Sequence, residues 1–183
     1  MCNFLSAIYK QDGSIICLPE HTDSHEDLIA HANLDDSKDP VLNRWIRVEF
    51  TPPNKADVTN PDEYTLKVDE LSTPVWFDDD KRADCIAKLS ARIRAMVVKD
   101  KHLKIILGGC WILCGDAKVD RFVDGRVFRM WDTSQVGEMW NASQVGEMWN
   151  ASQVGKMRDT SKVGEMRDTS QVGIDYRTKG PSC

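Results

Sequence analysis

Apolar and polar positions alternate with a nine-residue period over the last third of the chain. Residues 132–176 read DTSQVGEMW, NASQVGEMW, NASQVGKMR, DTSKVGEMR and DTSQVGIDY. Two shorter units, DAKVDRFV from Asp116 and DGRVFRMW from Asp124, keep the spacing between a valine and a large apolar residue three positions later. One such unit cannot bury its own apolar side chains, so neighbouring units have to stack. The pattern therefore predicts a solenoid.

Short strands suit this period better than a helix, because glycine recurs in each later unit and nine residues drift off any helical face. Two units per coil would give about three and a half coils. At roughly 4.8 Å per coil, the stack would be about 17 Å tall. The residues expected to point inward are Val119, Val127, Val136, Val145, Val154, Val163, Val172, Phe122, Met130, Met139, Met148, Met157 and Met166.

Two further positions of the repeat have predicted roles. We expect the glycine to supply a turn with positive φ, a conformation that glycine adopts without strain. We expect the Asp or Asn that begins each unit to hydrogen-bond the backbone at the next corner. The predicted turn glycines are Gly137, Gly146, Gly155, Gly164 and Gly173.

The residue after the methionine is a Trp or an Arg, and we expect it on the outer surface: Trp131, Trp140, Trp149, Arg158 and Arg167. With two units per coil, Trp131 lies over Trp149 and Trp140 lies over Arg158. One interpretation is a stacking ladder that stabilises the coils. The other is a binding face, because Trp and Arg are enriched in interface hot spots. The two interpretations are compatible. The near identity of the units also indicates duplication, so a single position can persist without its own task.

The first 107 residues predict an α+β module in the order β-β-α-β-β-α, with an antiparallel sheet and helices on one face. Residues 3–9 and 14–18 are strand-like around the turn signal Asp12-Gly13. Ser24 caps a short helix. Alternating apolar residues predict strands at 44–50 and 64–68, and a helical pattern follows at about 80–98.

The predicted domains are a capping module at 1–107, a β-solenoid at 108–175 and a tail at 176–183. The stretch LKIILGGCWILCG from Leu103 is interpreted as the closing strand of the module followed by the first coil. A solenoid end exposes unpaired backbone groups, so the module is expected to cover the first coil. The other end has only IDYRTKGPSC, where Pro181 stops further pairing. Self-association through the last coil is therefore expected.

Composition is that of an ordinary soluble protein, with 41% hydrophobic and 29% charged residues and a net charge of −5. Basic and acidic residues balance over 108–183, so the excess acid lies in the module. We expect no membrane span, no signal peptide and no nucleic-acid partner, since no long apolar run and no basic patch is present. The six cysteines lack paired ligand spacing, which predicts a reduced cytoplasm.

Two candidate chemical sites lie in the module, and no cofactor is expected. His21, Asp23 and His25 could hold a divalent metal, but the same stretch has the features of a helix start. Cys2 would resemble the nucleophile of class II glutamine amidotransferases if Met1 were removed, although the chain is too short for that fold. None of the motifs GxxxxGK[ST], GxSxG and HExxH is present. An enzymatic function thus stays an alternative, although none of these catalytic motifs supports it.

The module also carries a resemblance. The succession SAI, DG, HTDSHEDLI, RVEFTPP, YTLKVDE and TPVWFDDDKR resembles a module of uncharacterised phage and prophage proteins, in which short β-repeats follow as well. The resemblance covers the whole architecture and implies no catalytic residue. It implies a small protein made by a phage in the cytoplasm of its bacterial host.

Three functions follow as hypotheses. The first is a non-enzymatic protein that binds a host protein, as an inhibitor of a host defence or regulatory protein. The second is an assembly protein that forms end-to-end dimers or filaments through the solenoid. The third is a small metal-dependent enzyme using His21, Asp23 and His25. The predicted partner-binding residues are Trp131, Trp140, Trp149, Arg158, Arg167, Glu138 and Glu147.

Overall fold

A computed structural model describes residues 5–35, 44–53 and 58–176. The chain divides into two compact units, Met1–Ala95 and Met96–Cys183. Residues 97–107, which the sequence assigned to the module, form strands of the second unit. The solenoid therefore begins about one coil before the first repeat unit that the sequence shows.

The first unit contains a four-stranded antiparallel sheet in the order β2-β1-β3-β4. Its strands are β1 Leu5–Lys10, β2 Ile15–Ile16, β3 Trp45–Thr51 and β4 Thr65–Val68. Its helices are α1 His25–His31, a 3-10 helix Pro61–Glu63 and α2 Asp79–Met96, which ends one residue into the second unit. The antiparallel sheet predicted from the sequence is present.

Burial in this unit follows the alternation of its strands. Ile46, Val48 and Phe50 of β3 are fully buried, as their period of two predicts. Ile8 of β1 packs with Leu28 of α1 in one apolar cluster. Helix α1 begins as expected, because the Asp27 N–H donates to the Ser24 hydroxyl oxygen over 3.3 Å.

The second unit is a β-solenoid of about five coils, each contributing one strand to each of two parallel five-stranded sheets. We call them the odd sheet and the even sheet. The odd sheet contains β5 Val97–Lys99, β7 Cys110–Cys114, β9 Arg126–Met130, β11 Gln144–Met148 and β13 Lys162–Met166. The even sheet contains β6 His102–Leu107, β8 Lys118–Val123, β10 Gln135–Trp140, β12 Gln153–Met157 and β14 Gln171–Asp175. The predicted solenoid is confirmed, with more coils than the three and a half expected.

The register places equivalent repeat positions above one another at a spacing of 18 residues in the later coils. Val136 pairs with Val154, and Met139 pairs with Met157. The valine and methionine columns form one apolar core between the two sheets. Each later coil thus contains two units. The valines and methionines predicted to point inward are buried up to Met157, whereas Val163 and Val172 of the last coil are partly buried and Met166 is exposed.

The glycine prediction is wrong, because the corners are made by the Asp or Asn that begins each unit. Asp132, Asn141 and Asn150 have φ of 58°, 56° and 56°. Asn and Asp visit this left-handed region more readily than other non-glycine residues. The glycines from Gly137 onward lie within strands, without positive φ. The Asp or Asn side chain was also predicted to hydrogen-bond the backbone at a corner. This is confirmed, since Asp159 Oδ2 accepts from the Asn141 N–H over 3.0 Å.

Candidate functional site: the outer walls of the solenoid

The residues predicted to form one binding face lie on two different sheets. Glu138 and Trp140 belong to β10 of the even sheet, and Arg158 directly follows β12. Glu147 belongs to β11 of the odd sheet. The remaining three predicted residues directly follow odd strands: Trp131, Trp149 and Arg167. Because the two sheets enclose the core, the prediction of a single face is wrong in this respect.

On the even sheet, a stack of rings and guanidinium groups crosses the coils. The Arg158 guanidinium lies 4.6 Å from the ring centre of Trp140 and 4.9 Å from that of Tyr176. The Arg121 guanidinium lies 5.5 Å from the centre of the same Trp140 ring. The predicted stacking of Trp140 with Arg158 is confirmed. Each such contact contributes about 0.5–1 kcal/mol at an exposed site.

Glu138 holds this stack in one geometry. Its carboxylate accepts hydrogen bonds from Trp140 Nε1 and Lys156 Nζ, each over 3.0 Å. Arg158 Nη2 lies 3.7 Å from the same carboxylate. The half-buried carboxylate therefore fixes the orientation of an indole, an ammonium group and a guanidinium group.

The odd sheet carries a similar ladder with a more deeply buried centre. Arg129 is almost fully buried, and its Nη2 lies 2.7 Å from Glu147 Oε2. Its guanidinium lies 5.8 Å from the ring centre of Phe128 and 5.5 Å from that of Trp149. Arg167 covers Trp149 at 4.5 Å. Arg129 thus stabilises the outer face of the odd sheet from a buried position. The sequence of the repeat did not indicate this contribution.

The even sheet also carries an exposed apolar edge that the sequence analysis missed. Ile105 and Leu107 of β6 have 49% and 71% of their surface exposed. Leu107 shares a column with Val123 and Trp140, and Ile105 shares one with Arg121 and Glu138. The sequence assigned β6 to the module, so its place in the solenoid was not recognised.

A shallow groove of about 430 Å³ lies along the column of Ile105, Arg121 and Glu138 and the adjacent column that contains Gly137. Its lining residues are Lys104, Ile105, Asp120, Arg121, Gly137 and Glu138. Since Gly137 has no side chain, the wall is recessed there. Charges of both signs with one aliphatic side chain suit an amphipathic segment of a protein better than a uniformly charged ligand.

The interactions of Glu138 predict a pH dependence of stability. Its carboxyl pKa is lowered, first by the hydrogen bond from Lys156, then by that from Trp140 and by the nearby positive charges. A glutamate pKa near 4.3 in the unfolded chain then exceeds the folded value, so the unfolded state binds more protons between the two. The stabilisation is complete above pH 4.3 and is lost as the pH falls through the folded pKa.

We therefore expect Glu138→Gln to lower the free energy of unfolding at pH 7 and to have a smaller effect as the pH is lowered below 4.3, until it is nearly neutral below the folded pKa. Urea unfolding of both proteins across this pH range measures the difference. Asp80→Asn is the control, since Asp80 is an exposed carboxylate of α2 in the other unit. A Glu138→Gln difference that grows as the pH falls would contradict the assignment.

One of the three candidate metal residues of the module, His25, has other partners within the protein. His25 is buried, with Nε2 3.1 Å from the Val48 carbonyl oxygen and Nδ1 3.3 Å from Asp69 Oδ2. Both ring nitrogens are therefore engaged within the protein, while His21 lies exposed. Within residues 5–35, 44–53 and 58–176, no three His, Cys, Asp or Glu side chains are grouped to hold a metal ion. Cys2 lies outside the described residues.

The fold and these walls define a β-solenoid joined to a small antiparallel α+β unit. No protein-family model, curated protein or solved structure matches the chain. In the part of the chain that the structure describes, no helix has the length and apolarity needed to span a membrane.

Proposed function

We propose that this chain is a non-enzymatic protein-binding protein, and that the even sheet of its solenoid is the recognition surface. The observation that carries the proposal is the exposed pair Ile105 and Leu107, which share columns with Glu138 and Trp140 and of which Ile105 lines the groove. Contiguous exposed apolar side chains with a polar border are typical of interaction sites. Aromatic residues and arginine are the side chains most enriched in the centres of such sites.

The wall is also fixed before a partner arrives. Glu138 binds Trp140 and Lys156, and Arg158 lies between two rings. Ordering a flexible side chain at an interface costs about 0.5–1.5 kcal/mol, which a pre-formed wall avoids. The stacking ladder and the binding face are therefore compatible uses of the same residues.

The chain is a β-β-α-β-β-α module followed by nonapeptide units, and it acts in the cytoplasm of a bacterium as the product of a phage. Its partner is a host protein that inserts an amphipathic segment into the groove. Inhibition of a host defence or regulatory protein is the form of the function that suits a small rigid binder.

The test is capture of a partner from bacterial lysate by the intact protein and by two double variants. Ile105→Glu with Leu107→Glu alters the even sheet, whereas Leu71→Glu with Val75→Glu alters two fully exposed apolar residues of the other unit. All four positions are exposed enough for the fold to tolerate the charge, which circular dichroism checks.

We expect the first double variant to lose the captured protein, with an affinity lowered at least about 100-fold, and the second to retain it. A single Trp140→Ala variant should weaken capture by about 10-fold or more, because the indole forms part of the same wall. Equal capture by both double variants would exclude the even sheet as the recognition surface.

A further inference from the structure

The last coil of the solenoid exposes a part of the core that every other coil buries. In the odd sheet, one interior column contains Val98, Leu113, Met130, Met148 and Met166. The first four are between 0% and 4% exposed, but Met166 is 44% exposed. Val163 and Val172, the valines of the last coil, are also less buried than the valines before them. An interior surface is thus left open at this end.

The two ends of the solenoid differ. The equivalent residues of the first coil, Val98 and Ile106, are each 4% exposed. The two ends therefore differ at Met166 and not in the valine column, where Leu103 of the first coil is partly buried like Val172 of the last. Head-to-tail stacking, which would produce an open filament, would bring Met166 against a coil whose Val98 and Ile106 are already buried. Contact between two last coils uses the same surface twice and closes as a two-fold dimer.

The two halves of the last coil also differ. In β14 the position in register with Met157 is occupied by Asp175, which interrupts the apolar column of the even sheet. An inward charge at a sheet end is a recognised protection against further pairing. In β13 the repeat is intact through Met166, and β13 has a hydrogen-bonded neighbour, β11, on one side within the described residues. The edge that suits pairing is therefore β13.

Charge along β13 favours an antiparallel partner. Lys162 lies at one end of the strand and Glu165 near the other, where Glu165 also forms an ion pair with Arg167 over 2.6 Å. Two copies of the strand related by a two-fold axis run in opposite directions, so the basic end of each approaches the acidic end of the other. A parallel arrangement would place like charges together, which destabilises a strand pair.

We propose that two copies of this chain associate tail to tail through the edge of β13, burying Met166 and Val163 of both copies at a two-fold axis. This dimer is independent of the even-sheet recognition surface. Within the described residues, Met166 lacks the apolar contact that buries Met130 and Met148. A second copy supplies that contact from the same strand.

The test is the mass of the full chain in solution as its concentration is raised, measured by sedimentation equilibrium. We expect a monomer–dimer equilibrium without larger species. Met166→Glu should raise the dissociation constant about 10- to 100-fold, because it removes two buried methionines and places two carboxylates at the axis. Asp175→Met, which restores the apolar column, should lower the dissociation constant.

Further controls separate dimerisation from host capture and from loss of the fold. Ile105→Glu with Leu107→Glu should leave the dissociation constant unchanged, so failure of host capture and failure of dimerisation are distinguishable. Dilute-solution unfolding shows whether Met166→Glu still folds, and the gain expected from Asp175→Met does not depend on that result.

Three outcomes would overturn the proposal. A series of species larger than a dimer would indicate head-to-tail stacking. A monomer at every concentration, with Met166 oxidised rapidly by peroxide, would show that the end stays open. A monomer with Met166 protected from peroxide would show that residues 177–183 cover the last coil.

Discussion

Replacing Gly155 by alanine is expected to lower the free energy of unfolding of the solenoid by about 2–3 kcal/mol. The added Cβ would lie 2.6 Å from the carbonyl oxygen of Gly137 in the preceding coil. That atom belongs to the backbone of a paired strand, so it cannot move without disturbing the hydrogen bonds between β10 and β12. The coil spacing, set by those hydrogen bonds, leaves no room for a side chain.

Chemical denaturation followed by circular dichroism measures this cost. Gln153→Ala is the matched control, because Gln153 is an exposed residue of the same strand and its replacement should change stability by less than about 0.5 kcal/mol. If Gly155→Ala and Gln153→Ala have the same effect, the coils can separate locally and the close approach is not a constraint.

This glycine shows where reasoning from the sequence reached the right residue for the wrong reason. Its recurrence in each later unit was interpreted as a turn, because positive φ is the commonest demand for glycine. The turn is instead made at the Asp or Asn column, at φ near 56°. Glycine and Asp or Asn are all compatible with a corner. Which of them forms it depends on how closely two coils approach, and the sequence of one repeat does not specify that distance.

The core, by contrast, could be predicted closely. Valine and the apolar residue three positions later are the constant apolar positions of the phrase, so stacking has to bury them. The fully buried residues Val136, Met139, Val145 and Met148 bear this out. Because equivalent positions recur in every unit, the same assignment of inward residues has to hold for all of the units together.

The first coils could not be predicted in this way, because their strands do not carry the phrase. Strands β5 and β6 have Val98 and Ile106 in the interior columns. The sequence placed Val98 at the end of the helical pattern and Ile106 in the closing strand of the module. The exposed Ile105 and Leu107 were missed for the same reason. The repeat also does not state that successive units lie on alternate sheets of the core, so Trp140 and Trp149 were placed on one face.

Methionine truncation gives the second large effect and compares two neighbouring coils. Met148→Ala is expected to lower the free energy of unfolding by about 2–5 kcal/mol, because Met148 is fully buried and its removal leaves a cavity between the sheets. Met166→Ala is expected to cost about 1 kcal/mol or less. The two residues pair in register on β11 and β13, so the repeat position and local backbone are matched.

The comparison is made by urea denaturation in dilute solution, where self-association does not contribute. Equal costs would mean that Met166 is covered in the isolated chain, and the open last coil would then have to be abandoned together with the dimer that depends on it. If the costs are unequal, and the free energy of unfolding lost in Met166→Ala rises with protein concentration, then Met166 is buried against a second copy. The rise follows from mass action, because a dimer that needs Met166 adds its association free energy to the stability of the folded state.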